Sequence, residues 1–465
     1  MGQMLSINPA TEEVMGKFDY ISGGDAAREV LKSREAFLSW GNADVRERCA
    51  LLKKAAAVLK KNRREYGELI SREMGKPVSQ SVPEVEKCAW ACEYYAENAE
   101  KFLADEPVRT ESGKAYVMFQ PLGTILGIMP WNFPFWQVFR FASAALASGN
   151  TVVVKHSSNV PQCGIAIEGV FREAGFPEHV YKNLLLSSGD IEPLVGNGLV
   201  EGISLTGSTE AGRRVGELGG KWLKKVVLEL GGNDPFIVLD DSEVEKASEA
   251  AVTARFQNCG QSCIAGKRFI VHQGVADAFI ESFVRKAQAL RVGDPLDPKT
   301  GMGPLARADL REKIEAQLKA MEAYGARVLA GGKRIPGKGY FYEPTVVDAS
   351  GVRELRRDGI KARESGLVRE ETFGPLATVI VGKDDEELLA IANASPYGLA
   401  SSVWGSRGRA EGIARRLENG MVAVNGMARS DPRLPFGGVK DSGIGRELGR
   451  YGILEFVNVK SVAIS

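Results

Sequence analysis

Histidine is scarce in this chain: three residues in 465, at His156, His179 and His272, with no two at ligand spacing. That scarcity argues against a histidine-built metal site and against a histidine proton relay, so any base role falls to a carboxylate. Cysteine is also sparse. The six cysteines form no C-x-x-C pair, which leaves neither a zinc ribbon nor a dithiol motif, and we expect no metal. Neither sign of charge dominates, with 60 basic against 59 acidic residues, so nucleic acid and anionic membrane are not expected partners. No uninterrupted apolar run is long enough to span a bilayer. The start, Met1-Gly2-Gln3-Met4-Leu5-Ser6, lacks the basic segment and apolar core of an export signal, and we expect a soluble, cytoplasmic protein. Internal repeats, low-complexity tracts and a disordered linker are missing too. So is G-x-G-x-x-G after the first strand of the alternating region, which excludes the standard dinucleotide fingerprint there.

What is present exceeds one hydrophobic core, and two or three domains are expected at this length. Positions 25–104 read as helices with lysine-rich solvent faces; Leu51, Leu52, Ala55, Val58 and Leu59 recur at helical spacing. Two short strand-like runs flank Glu111-Ser112-Gly113-Lys114, a hairpin signal too small to stand alone. From position 123 strand and helix alternate, with strands expected over 123–129, 151–155, 181–186, 202–206 and 225–230. Such crossovers predict a parallel sheet wound in the Rossmann manner, with its ligand crevice at the carboxyl ends of the strands. A second alternating unit follows from 235 to about 443. The fold class is therefore α/β with two parallel-sheet domains.

Three stretches carry candidate chemistry. Phe256-Gln257-Asn258-Cys259-Gly260-Gln261-Ser262-Cys263 offers Cys263, a thiol that as thiolate attacks carbonyls readily. Leu228-Glu229-Leu230-Gly231-Gly232 places the carboxylate of Glu229 at a strand's exit, before glycines that let the backbone turn. Pro130-Trp131-Asn132-Phe133-Pro134 holds the amide of Asn132 between two prolines, where it can donate to an oxyanion.

Together, and in this order, these stretches resemble the aldehyde dehydrogenase superfamily. Asn8-Pro9-Ala10-Thr11, the run from Thr206 to Arg213, Glu370-Glu371-Thr372-Phe373-Gly374-Pro375 and Pro435-Phe436-Gly437-Gly438-Val439-Lys440 agree. The resemblance spans nearly the whole chain. It is strongest to the short bacterial and archaeal succinate-semialdehyde dehydrogenase branch, through Phe133 to Arg140 and Lys155-His156-Ser157-Ser158.

The resemblance implies a cofactor-binding domain over 1–105 and 123–230, a catalytic domain over 231–443, and a β oligomerisation arm from 106–122 with 444–465, giving a homodimer or homotetramer. It implies that Cys263 forms a thiohemiacetal and then a thioester, that Asn132 meets the oxyanion, and that Glu229 activates the hydrolytic water. For the cofactor it implies Trp131, Lys155, Ser158, Gly207, Ser208, Glu371 and Phe373. Ser158 stands where NAD-preferring relatives place a glutamate that would repel a 2′-phosphate, so NADP is the expected cofactor, with NAD still usable. Arg140 stands where the branch grips the distal carboxylate of succinate semialdehyde. Gln257 replaces a second arginine of the animal enzymes, and lactaldehyde, glyceraldehyde or simple aliphatic aldehydes stay open as substrates. Relatives that transfer the acyl group to coenzyme A often lack the glutamate. Two departures stand out: Cys259, four residues before the nucleophile and in reach of an inhibitory disulfide on sequence distance, and a basic insertion over 350–369 that could lie near the cofactor.

Overall fold

The computed structural model describes residues 2–111, 113–356 and 366–465. Its helical quarter consists of Gly23–Trp40, Val45–Lys61, Arg63–Met74 and Val78–Phe102. Local chemistry sets their ends: Ser22 and Asp44 accept N–H groups of the first turns, and Gly75 leaves the third helix in the left-handed region (φ 85°). Their apolar stripes, among them Leu52, Ala55, Leu59, Ile70, Cys88 and Tyr95, are wholly buried and form one core with the first sheet.

That sheet runs in the order Gly443–Ile444, Lys225–Glu229, Val200–Thr206, Thr124–Met129, Thr151–His156, Tyr181–Asn183. Its last five strands in that order are parallel. Val152, Val153 and Val154 are all buried, which explains why this strand reads as a continuous apolar run rather than an alternating one. The expected strands are found with shifts of a few residues at their ends. One edge differs from expectation: Gly443–Ile444, placed by sequence at the boundary of catalytic domain and arm, pairs antiparallel with Leu228 and Glu229. No local pattern marks a two-residue strand whose partner lies more than 200 positions away.

The second sheet has seven strands, in the order Arg327–Ala330, Thr345–Asp348, Leu376–Gly382, Arg268–His272, Pro235–Val238, Ala400–Trp404, Met421–Val424. All pairs are parallel except the one at the Arg327–Ala330 edge. A second apolar core fills its faces. Glu106–Val108, Lys114–Pro121 and Val457–Ile464 form a separate three-stranded antiparallel sheet, in which the last strand pairs with the middle one over its full length. The amino-terminal hairpin, Gln3–Ile7 with Val14–Asp19, escaped the sequence reading because its strands are short and half polar.

Candidate active site

The loop carrying Cys263 follows the helix Val244–Phe256 through a tight turn. Asn258 and Cys259 both sit at φ 54° and Gly260 at φ 70°, three successive left-handed residues. Holding non-glycine residues there costs on the order of 1–2 kcal/mol each, so other contacts must impose the turn. Those contacts are visible. Arg255, fully buried, donates to the carbonyls of Gly260, Gly266, Thr372 and Gly374. Gln80 accepts the N–H of Asn258 at 2.8 Å, and Gln261 accepts the N–H of Ala306 at 2.9 Å. Lys267 donates to the carbonyls of Ser262 and Cys263 and pairs with Glu371 at 3.1 Å, joining the nucleophile's loop to the expected ribose ligand. At Gly232 an added Cβ would lie 2.7 Å from the Cys263 carbonyl oxygen, so the glycine permits this close approach. Sequence reading gave no role to Arg255, Gln261 or Lys267, because each has a partner distant in the chain: Gly374, Ala306 and Glu371.

Asn132 is held with equal care. It donates from Nδ2 to the Gln261 carbonyl at 3.1 Å, which leaves one of its two amide N–H groups for another acceptor. Asn258 donates to the Asn132 carbonyl at 2.8 Å. The next residues are fixed by Glu84, whose Oε1 accepts the N–H groups of Phe135 and Trp136 at 3.0 and 3.1 Å, while its Oε2 takes Lys76 in a fully buried ion pair. His156 bonds the Pro134 carbonyl at 2.8 Å, and burial pulls its pKa down to about 4, so this ring is a neutral strut.

Glu229 is buried, and neither of its carboxylate oxygens has a hydrogen-bond partner among the described residues. Burial, and then the negative charge of Glu447, push its pKa well above the usual carboxylate range. Gly437 makes room for it: an added Cβ would stand 2.6 Å from Oε1. The thiol of Cys263 is pushed up to about 12 by burial, against the opposing pull of Arg140 and Lys267. Burial thus favours the protonated form of both the nucleophile and the expected base, and both are active as anions.

Of the expected cofactor residues, Trp131, Lys155, Ser158, Gly207 and Ser208 lie at the carboxyl ends of first-sheet strands, and Glu371 and Phe373 on the segment leading into Leu376–Gly382. Lys155 is buried, and desolvation alone lowers its pKa; no carboxylate partner accompanies it among the described residues. A buried ammonium without a counter-ion fits an anionic group such as a ribose phosphate. Ser158 beside it is exposed. Trp131 and Phe373 meet edge to face at 5.7 Å, and Glu371 accepts the N–H of Gly232 at 3.2 Å. Part of the expected phosphate-binding turn is engaged within the protein. The Gly207 N–H donates to the Glu229 carbonyl at 3.0 Å, and the Ser208 hydroxyl caps the helix Thr209–Lys221 by accepting the Ala211 N–H. What this turn presents outward is therefore the rest of the helix amino-terminus and the exposed Ser208 hydroxyl.

Cys263 lines a cavity of about 860 Å³, together with Phe133, Trp136, Gln137, Arg140, Gln257 and Lys87. Arg140, expected to grip the distal carboxylate, reaches the cavity wall with its charge already engaged. Its side chain is 1% exposed and ion-paired with Glu447; it donates to Thr206 Oγ1 at 3.0 Å and lies 4.2 Å over the Phe436 ring. Its charge is met before any substrate arrives. Cys259, the thiol expected to reach Cys263 in a disulfide, is buried in the second core, whereas Cys263 packs against the first, and both are free thiols. Most of the basic insertion, 357–365, lies outside the described residues; its carboxyl flank reaches the site, where the Val368 carbonyl accepts from Asn233 at 3.0 Å.

Residues 2–462 match the sequence model described as "Aldehyde dehydrogenase family". The chain is 43% identical over 463 residues to a protein of Synechocystis named probable succinate-semialdehyde dehydrogenase [NADP(+)], covering 99% of this chain and all of that one. It is 41% identical over 459 residues to a succinate semialdehyde dehydrogenase [NAD(P)+] of Escherichia coli, covering 98% and 97% of the two chains. Among solved structures, a succinic semialdehyde dehydrogenase from Streptococcus pyogenes, in complex with NADP+ as the cofactor, superposes with a TM-score of 0.94 at 34% identity over 99% of both chains. This chain belongs to the aldehyde dehydrogenase family.

Proposed function

We propose that the protein oxidises succinate semialdehyde to succinate with NADP, and with NAD less efficiently. The observation that carries this reading is the cavity itself, which sets the thiol of Cys263 on a wall that also holds cationic side chains. The names borne by the Synechocystis, Escherichia coli and Streptococcus pyogenes proteins support the same substrate and cofactor. Lys155, buried without a counter-ion, supports NADP, as does the serine at 158.

Lys155, Ser158, Glu371, Phe373 and Trp131 would hold the cofactor, whose nicotinamide supplies the oxidant when bound. The chain's own groups do the rest. Cys263 gives up its thiol proton to the ionised Glu229 carboxylate, which passes it to solvent; Sγ then bonds to the aldehyde carbon, and the C=O electron pair moves onto the oxygen, toward the second Nδ2 N–H of Asn132 and the Cys263 backbone N–H. Each such donor is worth roughly 10²- to 10³-fold in rate. Once the adduct is oxidised to the thioester, Glu229 takes a proton from water. The water oxygen attacks the acyl carbon, the C–S bond breaks, and acid leaves with the thiolate restored. A buried, unpartnered Glu229 favours this hydrolysis over transfer to coenzyme A.

The three-stranded arm, with Val108, Val459 and Ile464 exposed, is in this reading the surface through which two or four copies associate; sedimentation of the purified protein tests it. The substrate reading is tested by the rate of NADPH formation with succinate semialdehyde, lactaldehyde, glyceraldehyde and butyraldehyde. Succinate semialdehyde should give the highest kcat/KM, and equal or better values with the neutral aldehydes would overturn it.

A further inference from the structure

The cavity that holds Cys263 has three basic side chains on its wall, Lys87, Arg140 and Arg429, and they are not equivalent. Arg140 is neutralised by Glu447. Arg429 is exposed to solvent, where water and salt screen its charge. Lys87 is half-buried on the helix Val78–Phe102, its ammonium 4.4 Å over the Trp136 ring and donating to Ser430 Oγ at 2.5 Å. No carboxylate among the described residues lies within ion-pair distance of it.

The acidic residues of the same wall are already committed. Glu84 is held by Lys76 and two backbone N–H groups, Asp431 by Arg433 at 2.6 Å, and Glu86 by Arg63 at 3.2 Å. Gln257 faces the cavity without charge. The wall thus carries one partly dehydrated positive charge that no carboxylate among the described residues meets at ion-pair distance, in the chamber where the aldehyde must sit. Desolvation has a measurable side: burial, followed by repulsion from Arg140, brings the Lys87 ammonium down to about 8.

We propose that Lys87 is the counter-charge for the distal carboxylate of the substrate, and that it, rather than Arg140, determines preference for a carboxylate-bearing aldehyde. An arriving carboxylate replaces lost hydration and completes an ion pair that the fold leaves half made. Arg140 keeps Glu447 neutralised beside Glu229, so removing it disturbs the base as well as the wall. Lys87 has no such tie to Glu229. The inference rests on the proposed reading that the substrate bears a distal carboxylate.

The test compares KM and kcat of wild type, Lys87→Met and Lys87→Arg with succinate semialdehyde and with butyraldehyde, a neutral aldehyde of the same chain length. Lys87→Met should raise KM for succinate semialdehyde roughly 10- to 100-fold more than KM for butyraldehyde, the range expected for one charge-assisted contact. Lys87→Arg should recover part of the loss. An equal rise for both aldehydes would assign Lys87 to packing alone and overturn the proposal, as would no rise for succinate semialdehyde.

A measurement on unaltered enzyme guards against a variant that does not fold. KM for succinate semialdehyde should climb as pH passes about 8 and the ammonium loses its proton, while KM for butyraldehyde should not climb with it. The other ionisable groups facing Lys87 are Glu84 and Cys88 of its own helix, Arg140 across the cavity, and Arg429 and Asp431 of the 425–434 loop. Of these, Cys88 is pushed well above its usual range and Asp431 is held below its own. Parallel KM curves for the two aldehydes would overturn the assignment. A wild type that does not favour succinate semialdehyde at any pH would instead bring down the substrate reading on which the inference stands.

Discussion

Glu84 and Glu229 are both buried carboxylates, and they are furnished in opposite ways. Glu84, on the helix Val78–Phe102, receives two backbone N–H groups and the Lys76 ammonium. Glu73 nearby is similar, receiving Ser6 Oγ and the N–H groups of Gln162 and Cys163 at 2.8 to 2.9 Å. Glu229, at the end of its strand, receives nothing among the described residues. An unsatisfied buried polar group costs about 1–3 kcal/mol, and a fold that equips two carboxylates fully while leaving a third bare keeps that third available for chemistry. Asp234 is also buried with both carboxylate oxygens unpartnered among the described residues, so vacancy permits a base without by itself naming it.

Removing the nucleophile gives the largest expected effect. Cys263→Ala should lower NADPH formation by at least about 10⁴-fold with no change in the melting curve beyond a degree or two, the scale of loss seen when a catalytic nucleophile is deleted; an active variant would refute the scheme. Next, Glu229→Gln should slow turnover by about 10²- to 10⁴-fold while leaving a burst of reduced cofactor in rapid-mixing traces, because thioester formation outlives the loss of hydrolysis. The same substitution should not destabilise the protein. Its sign follows from linkage: the raised pKa of Glu229 means the folded state prefers the proton, so the wild type loses stability as pH rises above the ordinary carboxylate range, and the melting advantage of Glu229→Gln should grow with pH. Turnover by the wild type should rise with pH for a related reason, since Glu229 and Cys263 act as anions and burial raises the pKa of both.

The braces should answer oppositely. Glu84→Gln strands Lys76 in the core and should cost about 3–5 kcal/mol in denaturant unfolding, the usual penalty for breaking a buried pair. If Glu84→Gln were neutral for stability and Glu229→Gln strongly destabilising, the contrast drawn between them would be wrong. The smallest effect is expected at the cofactor crevice. Ser158→Glu should shift the ratio of catalytic efficiencies with NADP and NAD toward NAD by about tenfold, one ordinary like-charge repulsion at an exposed position. A clear preference for NAD in the wild type would sink the assignment of Lys155 and Ser158.

Much of the site was legible in the chain because its chemistry is carried by short contiguous motifs. Cys263, Glu229 and Asn132 each sit in a stretch whose glycines or prolines betray an unusual backbone, and the period of the apolar residues supplied both parallel sheets. Arg140 shows where that reading stops. Its motif places it on the cavity, but Glu447, more than 300 positions on, takes its charge, and nothing near either residue announces the pairing. Gly207 shows the same limit on a smaller scale, since nothing in a glycine–serine turn before a helix announces that its N–H is taken by the Glu229 carbonyl.

The sequence by itself determined the elements, the two-sheet α/β plan and the residue types able to do covalent aldehyde chemistry, because periodicity and backbone-permissive residues act over a few positions. Only the tertiary structure decided which charges are spent and which are left over. It matched Arg140 to Glu447, Lys76 to Glu84 and Lys267 to Glu371, and left Glu229, Lys155 and Lys87 without a partner of opposite charge among the described residues. The reason is physical: desolvation and ion pairing depend on what surrounds a group in space, and those surroundings are assembled from loops far apart in the chain.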